Sequence, residues 1–310
     1  MARTVLVTGA TGLVGGAVMR RFIGAGDRVI AVARHRPAGD LDKGVTFVAG
    51  DVRALPRIES AVDVVVHAAS PTSGKFFAEH PEETYSTIVE GTRRMLDFAR
   101  EHQAKSFVFL SSMEVYGSPA RADLLDESAP FCGDLFAPRS SYPRGKRDAE
   151  ELCRRYAAEN GLRAMAIRLA QTFGSFVPKT ENRVFAQFLR SACSGETIRL
   201  STSGASTRMY LETEDAASAI ESVLERGAPG AVYNAANPET YCSLADMARF
   251  VCGRYGGAGV SLGRDDDPAN ACYPPPHHLR LDVSRLMALG WRPRAGLAEM
   301  YDRLRISLGV

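Results

Sequence analysis

Residues 4–16, Thr-Val-Leu-Val-Thr-Gly-Ala-Thr-Gly-Leu-Val-Gly-Gly, constrain the fold more than any other stretch of the chain. Thr4 to Thr8 is a short β-branched apolar run that predicts a strand, and 14–23 carries apolar residues at helical spacing. Between them Gly9, Gly12 and Gly15 form a Gly-x-x-Gly-x-x-Gly turn, with Thr11, Leu13 and Val14 completing the loop. Glycine lets such a turn close tightly and lets backbone approach a pyrophosphate. The helix that follows offers unpaired N–H groups and the positive end of its dipole. The pattern alone is weak; its place between a strand and a helix gives it meaning.

The rest of the first half repeats the alternation. Apolar runs at 28–33, 45–48, 62–69, 105–111 and 162–169 predict strands, and 81–102 and 140–160 predict long helices. Strands separated by helices need crossover connections, hence a parallel sheet covered on both faces. Beyond about residue 170 the loops lengthen. Helices are expected at 185–194, 214–226, 243–255 and 282–289, and strands at 197–201 and 231–234. Residues 173–185 read as loop, and 265–276 as a turn or extended segment broken by prolines. The expected class is α/β, a Rossmann-like doubly wound parallel sheet with a smaller C-terminal α/β substrate lobe. Residues 1–170 form the dinucleotide domain, to which 206–235 returns; 171–205 and 236–310 form the lobe.

Composition narrows the partners. The 310 residues are 45% hydrophobic and 24% charged, enough to bury a large core. The net charge of +2 excludes nucleic-acid binding driven by bulk charge. No apolar run approaches the roughly 20 residues that span a bilayer, and residues 1–5 run into a strand without a signal-peptide pattern. The six cysteines are scattered with no Cys-x-x-Cys pair, which argues against a metal ribbon. Reduced thiols in a cytoplasmic protein are the expectation. His277-His278 lacks partners at metal spacing, so it reads as exposed loop and no metal is expected.

Two further features point to redox chemistry. An acidic residue about 20 positions after the glycines would bind a ribose 2′-hydroxyl and select NAD. None occurs from residue 28 to 39; the second strand ends Ala33-Arg34, leaving room and charge for a 2′-phosphate. The cofactor is thus NAD or NADP, with NADP favoured by Arg34. Tyr142 and Lys146 are four apart at the start of the helix 140–160 and share a face. An ammonium beside a phenol favours the phenolate and makes tyrosine a usable proton acceptor.

With the glycine turn and this dyad together, the sequence resembles the extended short-chain dehydrogenase/reductases, in particular their nucleotide-sugar epimerase/dehydratase group. Thr8 to Gly15 is similar to the family's cofactor loop, and Gly50-Asp51-Val52 to its adenine-contacting segment. His67-Ala68-Ala69 resembles the end of its fourth strand, Ser111 to Gly117 its catalytic serine segment, and Tyr142-x-x-x-Lys146 its dyad. The resemblance implies that Asp51, Val52, Ala68 and Ala69 contact cofactor. It implies that Tyr142 removes a substrate hydroxyl proton, Ser112 hydrogen-bonds that hydroxyl, and Lys146 holds the nicotinamide ribose. Ser70, Met113, Gln171, Asn182, Arg208 and Arg280 would line the substrate, with Arg208 on a diphosphate. It also implies a homodimer through the two long helices.

The departures from the family matter. Its dehydratases carry an Asp-Glu pair after the serine; here Met113 replaces the aspartate and Glu114 remains. A thioether donates no such proton. Glu114 is left as a possible base at carbon 5. Gln171 stands where relatives often have asparagine, and Arg144 interrupts a helix start that is usually small. The expected function is an NAD(P)-dependent nucleotide-diphosphate-sugar epimerase/dehydratase-type enzyme working through a 4-keto intermediate. The alternatives are an NADPH-dependent ketoreductase on a nucleotide sugar or other small carbonyl, and a non-catalytic dinucleotide sensor. Epimerisation, dehydration and decarboxylation all stay open.

Overall fold

A computed structural model describes residues 2–37, 42–267 and 275–310. The proline-broken segment expected at 265–276 falls largely outside the described residues, as does Cys272; the other five cysteines are free thiols.

The main sheet has seven strands, all parallel: β1 (Thr4–Thr8), β2 (Arg28–Ala33), β3 (Val45–Ala49), β4 (Val64–His67), β5 (Ser106–Ser112), β7 (Ala164–Leu169) and β11 (Val232–Ala235). Their order is β3-β2-β1-β4-β5-β7-β11. Strands β1, β4 and β7 are buried along their whole length, which is why they read as mostly apolar runs, Arg168 in β7 being paired inside. Helices α1 (Leu13–Gly24) and α6 (Thr213–Arg226) cover one face, burying Val18, Phe22, Ile220 and Val223 against Val5, Val7 and Ile167. Helices α3 (Pro81–Glu101) and α4 (Ser141–Asn160) cover the other, burying Ile88, Met95, Leu96 and Leu152 against Leu6, Val65 and Phe107. Each such side chain contributes roughly 1.5–3 kcal/mol by leaving water. Pro81 opens α3 at a position that has no intrahelical N–H bond to lose, and Gly161, at φ +68°, ends α4.

The chain reverses its strand order between β1 and β4. Loops leaving the C-terminal ends of these two strands diverge, and the crevice between them is the ligand position of a doubly wound sheet. A short helix α2 (Gly74–Glu79) follows β4, and a two-residue strand β6 (Leu124–Leu125) lies in the β5–α4 connection.

The lobe is built from β8 (Gln171–Phe173), α5 (Val184–Cys193), β9 (Thr197–Leu200), β10 (Thr207–Glu212), β12 (Asn237–Ser243), α7 (Leu244–Tyr255), β13 (Gly259–Leu262), β14 (His278–Leu281), α8 (Ser284–Ala288) and α9 (Leu297–Leu308). Its sheet runs β12-β10-β14-β6, with β8 beside β10 and a separate β9–β13 pair. Within residues 206–235, α6 and β11 join the main sheet, whereas β10 lies in the lobe. His278 begins β14 and His277 is half-buried, so this pair is not the exposed loop its sequence suggests. Among the described residues no helix is long and apolar enough to cross a membrane.

Candidate active site

The glycine turn is built as an open cradle. Gly9 has φ +64°, and a Cβ there would come within 2.8 Å of the Ala69 nitrogen. A Cβ on Gly15 would strike the carbonyl oxygen of Gly9. The turn closes through Gly12 N–H donating to the Gly9 carbonyl at 2.9 Å. Helix α1 has no side-chain cap and no acidic residue in its first turn, while α6 and α7 are capped by Glu212 and Ser243. An anion is therefore the natural cap of α1. The Ala69 N–H donates to Thr8 Oγ1 (3.1 Å), which also meets His67 Nδ1 (2.8 Å), tying the ends of β1 and β4 together. Burial, with the charge of Lys146, holds His67 down to about 3, so its ring is neutral.

The far side of the crevice carries the adenosine-end candidates. Arg34 is exposed just beyond β2, and Val52 is buried. Asp51 is held by Arg53 through Nε (3.0 Å) and Nη2 (2.9 Å), which keeps its carboxyl below the usual range, with Arg34 adding to the effect. The residues present suit a dinucleotide: a backbone cradle for phosphates, an uncapped helix, and guanidinium groups rather than a lone acid at the ribose end.

The catalytic candidates gather where β5 ends. Ser112 terminates β5 and accepts the Glu114 N–H on its hydroxyl (3.2 Å), capping the 3₁₀ turn Met113–Tyr116. Tyr142 is 9% exposed and stacks on Phe77, with ring centroids 4.2 Å apart. Burial pushes its phenol up, as does the charge of Glu114; Ser112, Arg139 and Arg183 draw it back. Lys146 follows one helical turn later and is 3% exposed. Its Nζ donates to the Leu110 carbonyl at 2.6 Å and sits 5.4 Å from the Tyr142 ring centroid. Burial lowers it to about 7, against the charge of Glu150. Tuning of the phenol thus comes from Ser112 and two arginines; one of them, Arg139, lies three residues before Tyr142 and was not singled out from the sequence.

Beneath this group runs a buried polar chain. Glu150 Oε1 accepts from Ser111 Oγ (2.5 Å) and Arg168 Nε (2.9 Å), and Oε2 from Arg168 Nη2 (2.7 Å). Arg168 Nη1 donates to Tyr116 Oη (2.9 Å), which donates to Asn234 Oδ1 (2.7 Å); Asn234 Nδ2 donates to the carbonyls of Leu125 and Asp282, both at 3.0 Å. The chain links α4, β5 and β7 to the lobe strand β6 and to Asp282, the residue that follows β14.

The substrate-side candidates separate. Ser70 and Gln171 are half-buried. Asn182 is exposed and accepts from Gln187 on its carbonyl (2.7 Å) and side chain (3.3 Å). Arg208 is half-buried, with Nη2 3.5 Å from His277 Nε2 and a buried Nε lacking a partner. Arg280 does not join it. Alternation along β14 turns Arg280 to the other face, where its guanidinium lies 5.6 Å from the Tyr241 ring centroid and lines a cavity of about 450 Å³ with Leu124, Met209 and Met287. Met113 is 5% exposed and packs in the apolar core, so the residue replacing the family's acid is a packing group. A cavity of about 1040 Å³ bordered by Arg57, Arg94 and Phe98 lies on the outer side of α3 and contains none of these residues. Among the described residues no three His, Cys, Asp or Glu side chains gather as a metal site.

The sheet order, the crevice and the glycine cradle define a Rossmann-type α/β protein. The model of the NAD dependent epimerase/dehydratase family matches residues 5–236, and the chain belongs to that family of enzymes, within the extended short-chain dehydrogenase/reductases. UDP-glucuronic acid decarboxylase 1 of Xenopus tropicalis is 26% identical over 313 residues, covering 97% of this chain and 71% of the relative. dTDP-glucose 4,6-dehydratase of Streptomyces antibioticus is 28% identical over 315 residues, covering 96% and 90%. Among solved structures, UDP-glucose 4-epimerase of Thermotoga maritima with UDP-glucose superposes with a TM-score of 0.81 at 21% identity, covering 99% of this chain and 98% of that one.

Proposed function

We propose that this enzyme acts on a nucleotide-diphosphate sugar by transient oxidation at carbon 4 of the sugar. The convergence of Ser112, Tyr142 and Glu114 at the end of β5, across the crevice from an uncapped phosphate cradle, carries the reading. In this reading Gly9, Gly12 and Gly15 hold the pyrophosphate of the dinucleotide, and Lys146 leaves the Leu110 carbonyl for the nicotinamide ribose. When bound, the nicotinamide accepts a hydride and later returns it. Tyr142 takes the proton of the carbon-4 hydroxyl, and Ser112 fixes that hydroxyl by a hydrogen bond. Two nearby guanidiniums oppose the desolvation that would otherwise keep the phenol protonated. Glu114 stands as the base at carbon 5, and Arg208, with its unpartnered Nε, receives a phosphate of the substrate.

Arg34 and the Arg53-bound Asp51 support acceptance of NADP as well as NAD, because neither presents a free acid to a 2′-phosphate. Replacing Tyr142 by Phe tests the central assignment. The variant is expected to keep dinucleotide affinity, measured by calorimetry, and to lose turnover of the nucleotide sugar by at least about 100-fold, the scale of a lost general base. Turnover at the parent rate would overturn it.

A further inference from the structure

Arg208 projects from β10, half-buried. Among the described residues no carboxylate pairs with it, and its buried Nε has no partner. The polar side chain beside it is His277, whose Nε2 lies 3.5 Å from Nη2, at the long limit of a hydrogen bond. A buried guanidinium nitrogen left unpaired costs free energy, and an anion is the partner that removes the cost.

His277 is held firmly. Its N–H donates to Ser206 Oγ at 3.3 Å, and its carbonyl accepts the Thr207 N–H at 3.0 Å, pinning its backbone to the start of β10. Its ring is oriented by Nδ1, which lies 3.1 Å from the Pro275 carbonyl oxygen. A carbonyl oxygen only accepts, so Nδ1 carries the proton of the neutral ring. Nε2 is then a bare lone pair, and it faces Arg208. Ser206 Oγ, 3.4 Å from Nδ1, is a looser second contact. Burial and then the charge of Arg208 lower the pKa of His277 from its ordinary value; His278 and Arg139 act the same way, against the Pro275 carbonyl. The charged and titratable groups that bear on the ring are thus Arg208 from β10, His278 from β14 and Arg139 from the 3₁₀ turn Pro138–Ser140 before α4. None is acidic, so the ring without ligand is neutral at pH 7. His278 is itself occupied, with Nδ1 2.8 Å from Thr207 Oγ1.

We propose that His277 is a second ligand of the substrate diphosphate, beside Arg208, and that it takes up a proton when the diphosphate binds. The proposal rests on Arg208 receiving a substrate phosphate, as argued above, and adds a proton to that step. A phosphate oxygen has no proton to give and repels the lone pair of a neutral Nε2. Once protonated, Nε2 donates while Nδ1–H stays on the Pro275 carbonyl, so the ring need not turn. Arg208 and His277 then set two positive groups against the paired negative charges of the diphosphate. One proton comes from solvent for each diphosphate bound, and no covalent bond to a heavy atom breaks or forms. The sequence offers Arg280 for this place, but Arg280 lies over Tyr241 on the other face of the lobe sheet. A histidine where a permanent cation would serve makes binding depend on pH. Because the bound anion raises the ring's pKa, affinity is highest below the pKa of the free ring and falls as pH rises through that of the complex.

The test uses the full chain as Tyr142→Phe, to suppress turnover, saturated with NAD and titrated calorimetrically with UDP-glucose, dTDP-glucose and GDP-mannose. Their diphosphates are diesters without the phosphate ionisation near about pH 6, so a pH dependence belongs to the protein. In this background affinity should rise roughly 10- to 100-fold from pH 8.5 to 6, the scale of an opposite charge set against a titrating group. Titrations at pH 7 in buffers of different ionisation enthalpy should show uptake of a substantial fraction of a proton per site. Adding His277→Gln, an amide donor without charge, should leave binding at pH 8.5 as it was and remove both the rise at low pH and the uptake. Adding His278→Asn should keep both. Affinity independent of pH, absent proton uptake, a His277→Gln that keeps them or a His278→Asn that loses them overturns the proposal and spares Arg208 as a phosphate ligand. Unchanged affinity on adding Arg208→Met, or binding of none of the three sugars, removes the phosphate reading and this proposal with it.

Discussion

Replacing Glu150 by Gln should be among the most damaging near-isosteric changes in the chain. Glu150 and Arg168 are 6% and 5% exposed, joined by bonds of 2.9 and 2.7 Å. Burial alone would lower the arginine's pKa; the paired carboxylate more than reverses this and raises it. A glutamine side chain would keep the shape and one acceptor but leave the guanidinium with no counter-charge. Its remaining acceptors, Tyr116 Oη at 2.9 Å and the Glu127 carbonyl at 3.0 Å, are neutral. Breaking one side of a buried pair costs about 3–5 kcal/mol. At roughly 2–4 °C per kcal/mol for a chain of this size class, the midpoint of thermal unfolding should fall by roughly 6–20 °C. The pair itself is not expected to be worth that much. Removing both charges, as Glu150→Met with Arg168→Met, leaves no stranded ion. The double variant should therefore be at least ~2 kcal/mol less destabilised than the sum of the two singles. Urea and thermal unfolding of the parent, the two single methionine variants and the double, all without added dinucleotide, measure the cycle. A Glu150→Gln midpoint within about 2 °C of the parent, or additive singles, would refute the reasoning.

Three further outcomes follow from the site. Lys146, lowered to about 7 by burial, penalises the folded state below that pH, where both states are protonated; as pH rises from about 7 toward 10.5 the folded chain sheds the proton first and the penalty fades. Lys146→Met should accordingly be more stable than the parent in urea at pH 6, with the difference shrinking by pH 10; no difference at pH 6 refutes the burial argument. Gly15→Ala places a Cβ on the Gly9 carbonyl oxygen and should cost roughly 1–3 kcal/mol of stability together with dinucleotide affinity, read by calorimetry; retained affinity would show that the turn is not the cradle. Arg34→Ala should weaken NADP by roughly 10- to 100-fold, as expected for a lost charged contact, and NAD hardly at all; equal loss of both would place Arg34 away from the 2′ position.

The parts of the fold legible in the sequence are those where one local rule suffices. Strand β2 occupies 28–33, as its apolar run predicts, and α4 starts within a residue of expectation, because buried parallel strands and long amphipathic helices carry dense signals. The lobe strands do not. Strand β12 reads Asn-Pro-Glu-Thr-Tyr-Cys-Ser, with three residues that disfavour strands, and exists because it pairs with β10. Helix α9 had a readable pattern, apolar at 297, 300, 301, 304 and 308, and simply carries no motif to draw the eye. The site divides along the same line. The glycines, Ser112 and the Tyr142–Lys146 pair recur at fixed local spacing, since a turn and a helix face set their geometry. Arg139 and Glu114 are 25 residues apart and meet only because the turn after β5 and the turn before α4 open on the same crevice. Arg280 makes the converse point. The segment entering and forming β14 sends His277 and Arg280 to opposite faces, so a basic residue near the expected place in the sequence lands over Tyr241 instead of beside Arg208. The candidate dyad is thus a property of spacing, whereas the Glu114–Arg139 pair is a contact between two turns that spacing does not show, and the charge of Arg139 bears on the Tyr142 phenol as well.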